Sequence, residues 1–125
     1  MDLRLELVPV PVSDIDRAKR FHVDALGFSV DHDVQPGEGV RVVQLTPPGS
    51  ACSIVLGAGL PLIEMEPGSL RGLHLVVDDI VRSGPELVAR GVEVGDIEDL
   101  GGMKYAGFSD PDGNTWTLQD IPAGA

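Results

Sequence analysis

Two rhythms of apolar residues take turns along this chain, one with a period of two and one of three to four. Thr115, Trp116, Thr117 and Leu118 alternate polar and apolar with β-branched and aromatic types, which predicts a half-buried strand over residues 114–119. Asp110-Pro111-Asp112-Gly113 in front of it is turn chemistry: Pro111 pre-sets φ and Gly113 tolerates a positive φ. Residues 3–12 read as another strand, and Pro9 and Pro11 within it predict a sheet edge, since proline cannot donate to a ladder. Ile15, Ala18, Phe21, Ala25 and Leu26 then recur at helical spacing, with Ser13 as the expected cap and Gly27 as the stop. Strands are predicted at 28–34, 40–46 and 51–56, followed by a Gly- and Pro-rich stretch over 57–69.

The same order then returns. Residues 70–77 form a strand pattern and Asp78-Asp79-Ile80 opens a helical region that Gly84-Pro85 interrupts. Ser83 with Glu86 makes a capping box around Pro85, so the better helix is expected at 84–90, closed by Gly91. Strands follow at 92–96, 104–109 and 114–119. Val12-Ser13-Asp14-Ile15 aligns with Val77-Asp78-Asp79-Ile80, Gly27 with Gly91, and Gly49 with Gly113, given one single-residue gap near the helix. The pattern is a βαβββ unit written twice: an α+β fold in one domain, with module 1 over about 1–57, a linker at 58–69 and module 2 over about 70–122. Each unit alone leaves a sheet face uncovered, so the two must associate within or between chains.

Composition narrows the chemistry. At 125 residues and 42% hydrophobic, the chain has enough apolar material for one core, built mostly of Val, Leu and Ile because only 4% is aromatic. Its single cysteine, Cys52, excludes an internal disulfide or a Cys-rich zinc site. The formal net charge of −11 disfavours nucleic acid as a partner and favours a cationic guest by long-range attraction. No basic leader precedes an apolar run, and no apolar segment approaches the roughly 20 residues of a membrane span, so a cytoplasmic protein is expected.

Together, Val12-Ser13-Asp14-Ile15-Asp16-Arg17-Ala18, Phe21, Leu26-Gly27-Phe28, Val77-Asp78-Asp79-Ile80 and Phe108-Ser109-Asp110-Pro111-Asp112-Gly113-Asn114 carry a resemblance over nearly the whole chain. The sequence resembles the vicinal oxygen chelate superfamily, which includes glyoxalase I, extradiol dioxygenases, and fosfomycin- and bleomycin-resistance proteins. The resemblance implies two modules whose mixed sheets curl into an open half-barrel, helices on the convex side, a ligand cleft inside, and a dimer in most members. Metal-using members place ligands on the first and last strand of each module. Carried over to this chain, those positions are Leu7, Ser53, Gly72 and Thr117. Leu and Gly have no side-chain donor, and unsupported hydroxyls bind divalent cations weakly, so no metal or other cofactor is expected. A one-residue slip at Pro9 or Pro11 would instead assemble Glu6, His74 and Gln119 as an off-register site.

The expected cleft therefore holds its guest by other means. His74, in phase with Val76, supplies an imidazole suited to hydrogen bonding or to acid–base catalysis. Ser53, Thr115, Thr117 and Gln119 supply polar contacts; Leu7, Pro9 and Val76 supply apolar wall; Tyr105 closes one end. Trp116 and Cys52 take the opposite, core-facing phase, His22 borders the buried stripe, and His32 is read as exposed. The leading expectation is a dimeric, metal-free binder of a small organic molecule, with a cationic guest favoured by the net charge. The alternative is an enzyme of the same superfamily (lyase, isomerase or dioxygenase) using a divalent metal or His74. An interaction module with a filled cleft is a third option.

Overall fold

The computed structural model describes residues 1–60 and 64–121. The first half runs β1 (Leu7–Pro9), α1 (Ile15–Arg20), β2 (Ser29–Gly37), β3 (Val40–Thr46) and β4 (Ser53–Ala58). The second runs β5 (Leu73–Val76), α2 (Ile80–Ala89), β6 (Glu98–Leu100), β7 (Met103–Ser109) and β8 (Thr115–Asp120). Each half forms its own four-stranded mixed sheet, ordered β1-β4-β3-β2 and β5-β8-β7-β6, and no barrel closes. In each, the first strand pairs in parallel with the last and lies at the edge. That is the βαβββ repeat, and it puts Pro9 on an edge strand, where its missing N–H costs no ladder bond.

Four departures from the sequence expectations have a local cause. β1 shrinks to three residues. Pro9 and Pro11 flank Val10, whose N–H still reaches Val55 O at 3.0 Å, and no ladder continues beyond it. The cap of α1 is Asp14, whose carboxylate accepts from Arg17 N, because Ser13 is turned toward Asp112. α2 starts at Ile80 under Asp79, which accepts from Val81 N, and carries Pro85 inside it. Ser83 is thus mid-helix, its hydroxyl bonded back to Asp79 O at 3.0 Å, and is not a cap. The expected strand at 92–96 makes one bond, Gly95 N to Gly107 O at 2.8 Å, and the β7 edge is paired only later by β6.

One apolar cluster unites the halves. It takes Val43, Leu45, Ile54 and Leu56 from the first sheet and Ala106, Phe108, Trp116 and Leu118 from the second, with Ala18, Ile80 and Leu87 from the helices. Beyond α1 the chain makes a π-helical turn over Phe21–Ala25, ended by Gly27 at φ +77°. That turn places Phe21 6.4 Å from Phe108 and His22 5.7 Å from Trp116, ring centre to ring centre. The first helix therefore lies between the apolar faces of both sheets, and the remaining faces look away from the shared core.

A buried polar latch also ties the halves together. Asn114 donates through Nδ2 to Pro11 O at 2.8 Å and to Asp110 Oδ2 at 2.7 Å, while its Oδ1 accepts from Leu70 N at 3.0 Å. Asp110 Oδ1 accepts from the N–H groups of Asp112 and Asn114, which makes the Asp-Pro-Asp-Gly turn structural. Asp112 in turn receives Ser13 Oγ at 2.5 Å and Arg17 at 3.2 Å. On the surface, Arg41 and Lys19 clamp Asp33 to α1 and hold its carboxyl down to about 2.

His22 is fully buried, and its Nδ1 donates to Ala18 O at 2.7 Å, the carbonyl being able only to accept. Burial holds the imidazole below its ordinary value of 6.5 despite the Ala18 bond and the Asp110 charge. The unfolded chain takes up a proton near pH 6.5 where the folded chain does not. Stability is thus complete above that pH and falls on acidification by about 1.4 kcal/mol per pH unit until the buried ring protonates. Urea midpoints across roughly pH 5 to 8 should show this slope, and His22→Gln should remove that share of it.

Candidate functional site

Strand alternation sorts the expected site residues onto the two outward faces. On the first sheet, Leu7 stands opposite Ser53, and Pro9 opposite Val55. Leu7 and Pro9 are half-buried, and Ser53 is 6% exposed. On the second sheet, His74 stands opposite Thr117, and Gln119 lies between Val76 and Tyr105. Thr117 is flanked by the buried Trp116 and Leu118, so it faces away from the helices. The structure brings His74, Val76, Tyr105, Thr117 and Gln119 together on one surface. Leu7, Pro9 and Ser53 form a separate surface on the far side of the core.

The second face has a defined polar centre. His74 Nδ1 lies 2.7 Å from Gln119 Oε1, and an amide oxygen only accepts, so that ring nitrogen carries the proton and Nε2 is left facing outward. The Tyr105 ring meets the imidazole edge-on at 6.0 Å, and its hydroxyl is turned to Met103 Sδ at 3.9 Å. Thr115 plays a different part from the one expected: its hydroxyl accepts from Gly72 N at 2.7 Å and fixes the entry to β5. Gly72, at φ +76°, thus lies beside Thr115, and His74 takes the place opposite Thr117. Counting residues back from α2 points to Gly72; strand pairing points to His74.

The first face carries a feature the sequence reading missed. Thr46 Oγ1 donates to Asp31 Oδ2 and lies 2.7 Å from Ser53 Oγ, so a carboxylate and two hydroxyls form a chain. A β-bulge between Val30 and His32 puts Asp31 there. Nothing in the local sequence marks that bulge. Cys52, expected in the core, is half-buried in the bend before β4 with Sγ 3.5 Å from Ser53 O. His32 is exposed and His22 buried, as read.

Among the described residues, no three His, Cys, Asp or Glu side chains converge as a metal site would require. Of the off-register trio, His74 and Gln119 are neighbours, while Glu6 precedes β1 beside the other sheet, where its backbone oxygen accepts from Ser53 N at 2.8 Å. A groove of about 840 Å³ runs along residues 91–95 and the end of β7, but it includes neither His74 nor Gln119. Of its aromatic members, Phe108 and Trp116 are only 4% and 2% exposed and Phe21 is half-buried; Thr115 and Thr117 also line it. No described helix is long and apolar enough to cross a membrane.

Paired βαβββ modules with polar-centred outward sheet faces define the vicinal oxygen chelate class. The sequence model of the Glyoxalase/Bleomycin resistance protein/Dioxygenase superfamily matches residues 4–118, and the chain belongs to that family. It is similar to TnmS3, an antibiotic binding protein from Streptomyces sp. CB03234, at 40% identity and TM-score 0.85 over 97% of this chain and 98% of that one. A glyoxalase/bleomycin resistance protein from the same strain is 42% identical, with TM-score 0.79 over 94% of this chain and 100% of that one. A superfamily member from Sphaerobacter thermophilus DSM 20745 is 33% identical, with TM-score 0.84 over 97% and 99%. No curated protein matches the chain.

Proposed function

We propose that this protein binds a small organic molecule of the antibiotic type without a divalent metal, and that it does so as a homodimer. One observation carries the reading: the strand positions opposite each other on the two outward faces hold Leu7 with Ser53 and His74 with Thr117. A single imidazole among aliphatic and hydroxyl groups suits hydrogen bonding to an organic guest better than coordination of a cation. The 40% identity to an antibiotic binding protein supports the same class of ligand.

Where the faces lie supports the dimer. Neither sheet alone encloses a guest, and the two outward faces of one chain point apart. A second copy that sets its first sheet against the second sheet of this one makes two equal clefts, related by the dimer axis. β1 and β5 are edge strands, as are β2 and β6, and Leu3, Leu5 and Val76 around β1 and β5 are 86%, 71% and 66% exposed, which favours contact there. Burying such residues is favourable by about 25 cal/mol per Å².

Complementation tests both parts. Thermal-shift screening against a panel of aromatic antibiotics finds a ligand, and Ser53→Phe on one face or Gln119→Ala with His74→Ala on the other abolishes its binding. Mixing the two inactive proteins, refolded together, restores about a quarter of the sites, because half of the dimers are mixed and each mixed dimer has one intact cleft. No recovery rules out the shared cleft. Alone, His74→Ala weakens binding on the order of tenfold, the loss of one hydrogen-bonding partner. Stoichiometric nickel, zinc, manganese or iron in the purified protein would refute the metal-free reading.

A further inference from the structure

The Asp31–Thr46–Ser53 chain fixes the direction of every hydrogen bond in it. A carboxylate can only accept, so the one hydroxyl proton of Thr46 is committed to Asp31. With that proton spent, Thr46 Oγ1 can only accept from Ser53, which commits the Ser53 proton too. What remains for a guest is a row of lone pairs on Ser53 Oγ and on the Asp31 carboxylate, with no donor. Ser53 is 6% exposed, so its hydroxyl is held within the sheet surface and cannot swing to solvent to recover a different partner.

Charge sharpens this preference. Asp33, two residues on, is paired with Lys19 and Arg41 on the helix side, whereas Asp31 has no cationic partner among the described residues. The bulge in β2 produces the division: it places Asp31 with Thr46 on the outward face and lets Asp33, opposite Val43, turn toward the helix. An unneutralised carboxylate backed by hydroxyls whose protons are already used is a receptor for a cation that carries its own N–H donors. We infer that the outward face of the first sheet recognises a protonated amine on the guest, with Asp31 as the counter-charge and Thr46 and Ser53 orienting it. This deepens the proposed function and rests on it, since the same face forms one wall of the proposed cleft.

The test uses three probes of one shape, benzylammonium, benzyl alcohol and benzoate, titrated into the full-length protein and followed by amide chemical shifts. Benzylammonium should saturate shifts at Asp31, Thr46 and Ser53 with at least tenfold higher affinity than benzyl alcohol, and benzoate should leave them unmoved. Added salt should erode the advantage of the cation, as charge-assisted pairing requires. Asp31→Asn should abolish the preference for the cation while leaving benzyl alcohol binding intact. Thr46→Ser, which keeps the hydroxyl, should retain the preference, and Thr46→Val should lose it. That pair decides the matter if Asp31→Asn fails to fold. Equal affinity for ammonium and alcohol, or a preference unchanged in Asp31→Asn, overturns the amine assignment and leaves the cleft standing. Shifts by none of the probes at either sheet face overturn both.

Discussion

An Asn114→Ala variant should lose about 4 kcal/mol of stability, read as a fall in the urea midpoint and a drop in Tm of about 10 °C or more. The side chain is fully buried and holds three partners at once: Pro11 O, Asp110 Oδ2 and Leu70 N. Alanine is too short to reach any of them; Pro11 O keeps the N–H of Gly68 at 3.1 Å, while Asp110 Oδ2 and Leu70 N lose their partner. Each stranded buried group costs about 1–3 kcal/mol, and that desolvation cost exceeds what a single bond contributes when made. The partners belong to both halves of the chain, so the damage spreads from one turn to the packing of module on module. Asn114→Asp should be nearly as harmful. It keeps an oxygen for Leu70 N but loses the donor to Pro11 O and sets a second carboxylate against Asp110. A stable Asn114→Ala protein with an unchanged midpoint would mean that the apolar cluster alone joins the halves.

The second large effect is at Trp116, 2% exposed, whose ring centre lies 5.7 Å from His22, 5.9 Å from Phe28 and 6.3 Å from Phe108. Trp116→Ala should cost about 3–5 kcal/mol, combining lost transfer energy with an unfilled cavity between α1 and the second sheet. Trp116→Phe should be far milder, about 1 kcal/mol. The indole Nε1 has no hydrogen-bond partner among the described residues, so removing it relieves an unsatisfied buried donor while keeping most of the packing. Chemical denaturation of the two variants side by side measures the difference. Equal losses would mean that a phenyl ring does not replace the packing of the indole.

The parts of the fold that were legible in the sequence are those set by neighbours along the chain. The apolar stripe from Ile15 to Leu26 needs only helical spacing, and the alternation from Thr115 to Leu118 correctly sends Trp116 inward and Thr117 outward. The duplicated order survives because both halves use the same turn and cap residues. What was not legible depends on residues far apart. Ser13 is a good capping residue by type, yet Asp112, distant in sequence, claims it and leaves the cap to Asp14. Ser83, Pro85 and Glu86 spell a helix start, but Asp79 starts the helix earlier, and Asp120 Oδ2, at 3.0 Å, takes the free Ile80 N–H. Among the candidate residues, the shared outward face of His74 and Gln119 is legible because strand alternation alone sets it. Thr115 has the same phase but spends its hydroxyl on Gly72. Asp31 and Thr46 were invisible, since a bulge in one strand is specified by its pairing with the next.

The irregularity in β2 also bears on how such proteins diversify. The ribbon of β2 and β3 is solvent-exposed along its outer strand, and all nine residues of β2 are exposed. Gaining or losing one residue there would change which acid faces outward beside Thr46 and which clasps the helix, without touching Leu45, Leu56 or Trp116. On the proposed amine reading, an insertion or deletion in this peripheral strand would alter guest preference while the interior stays fixed.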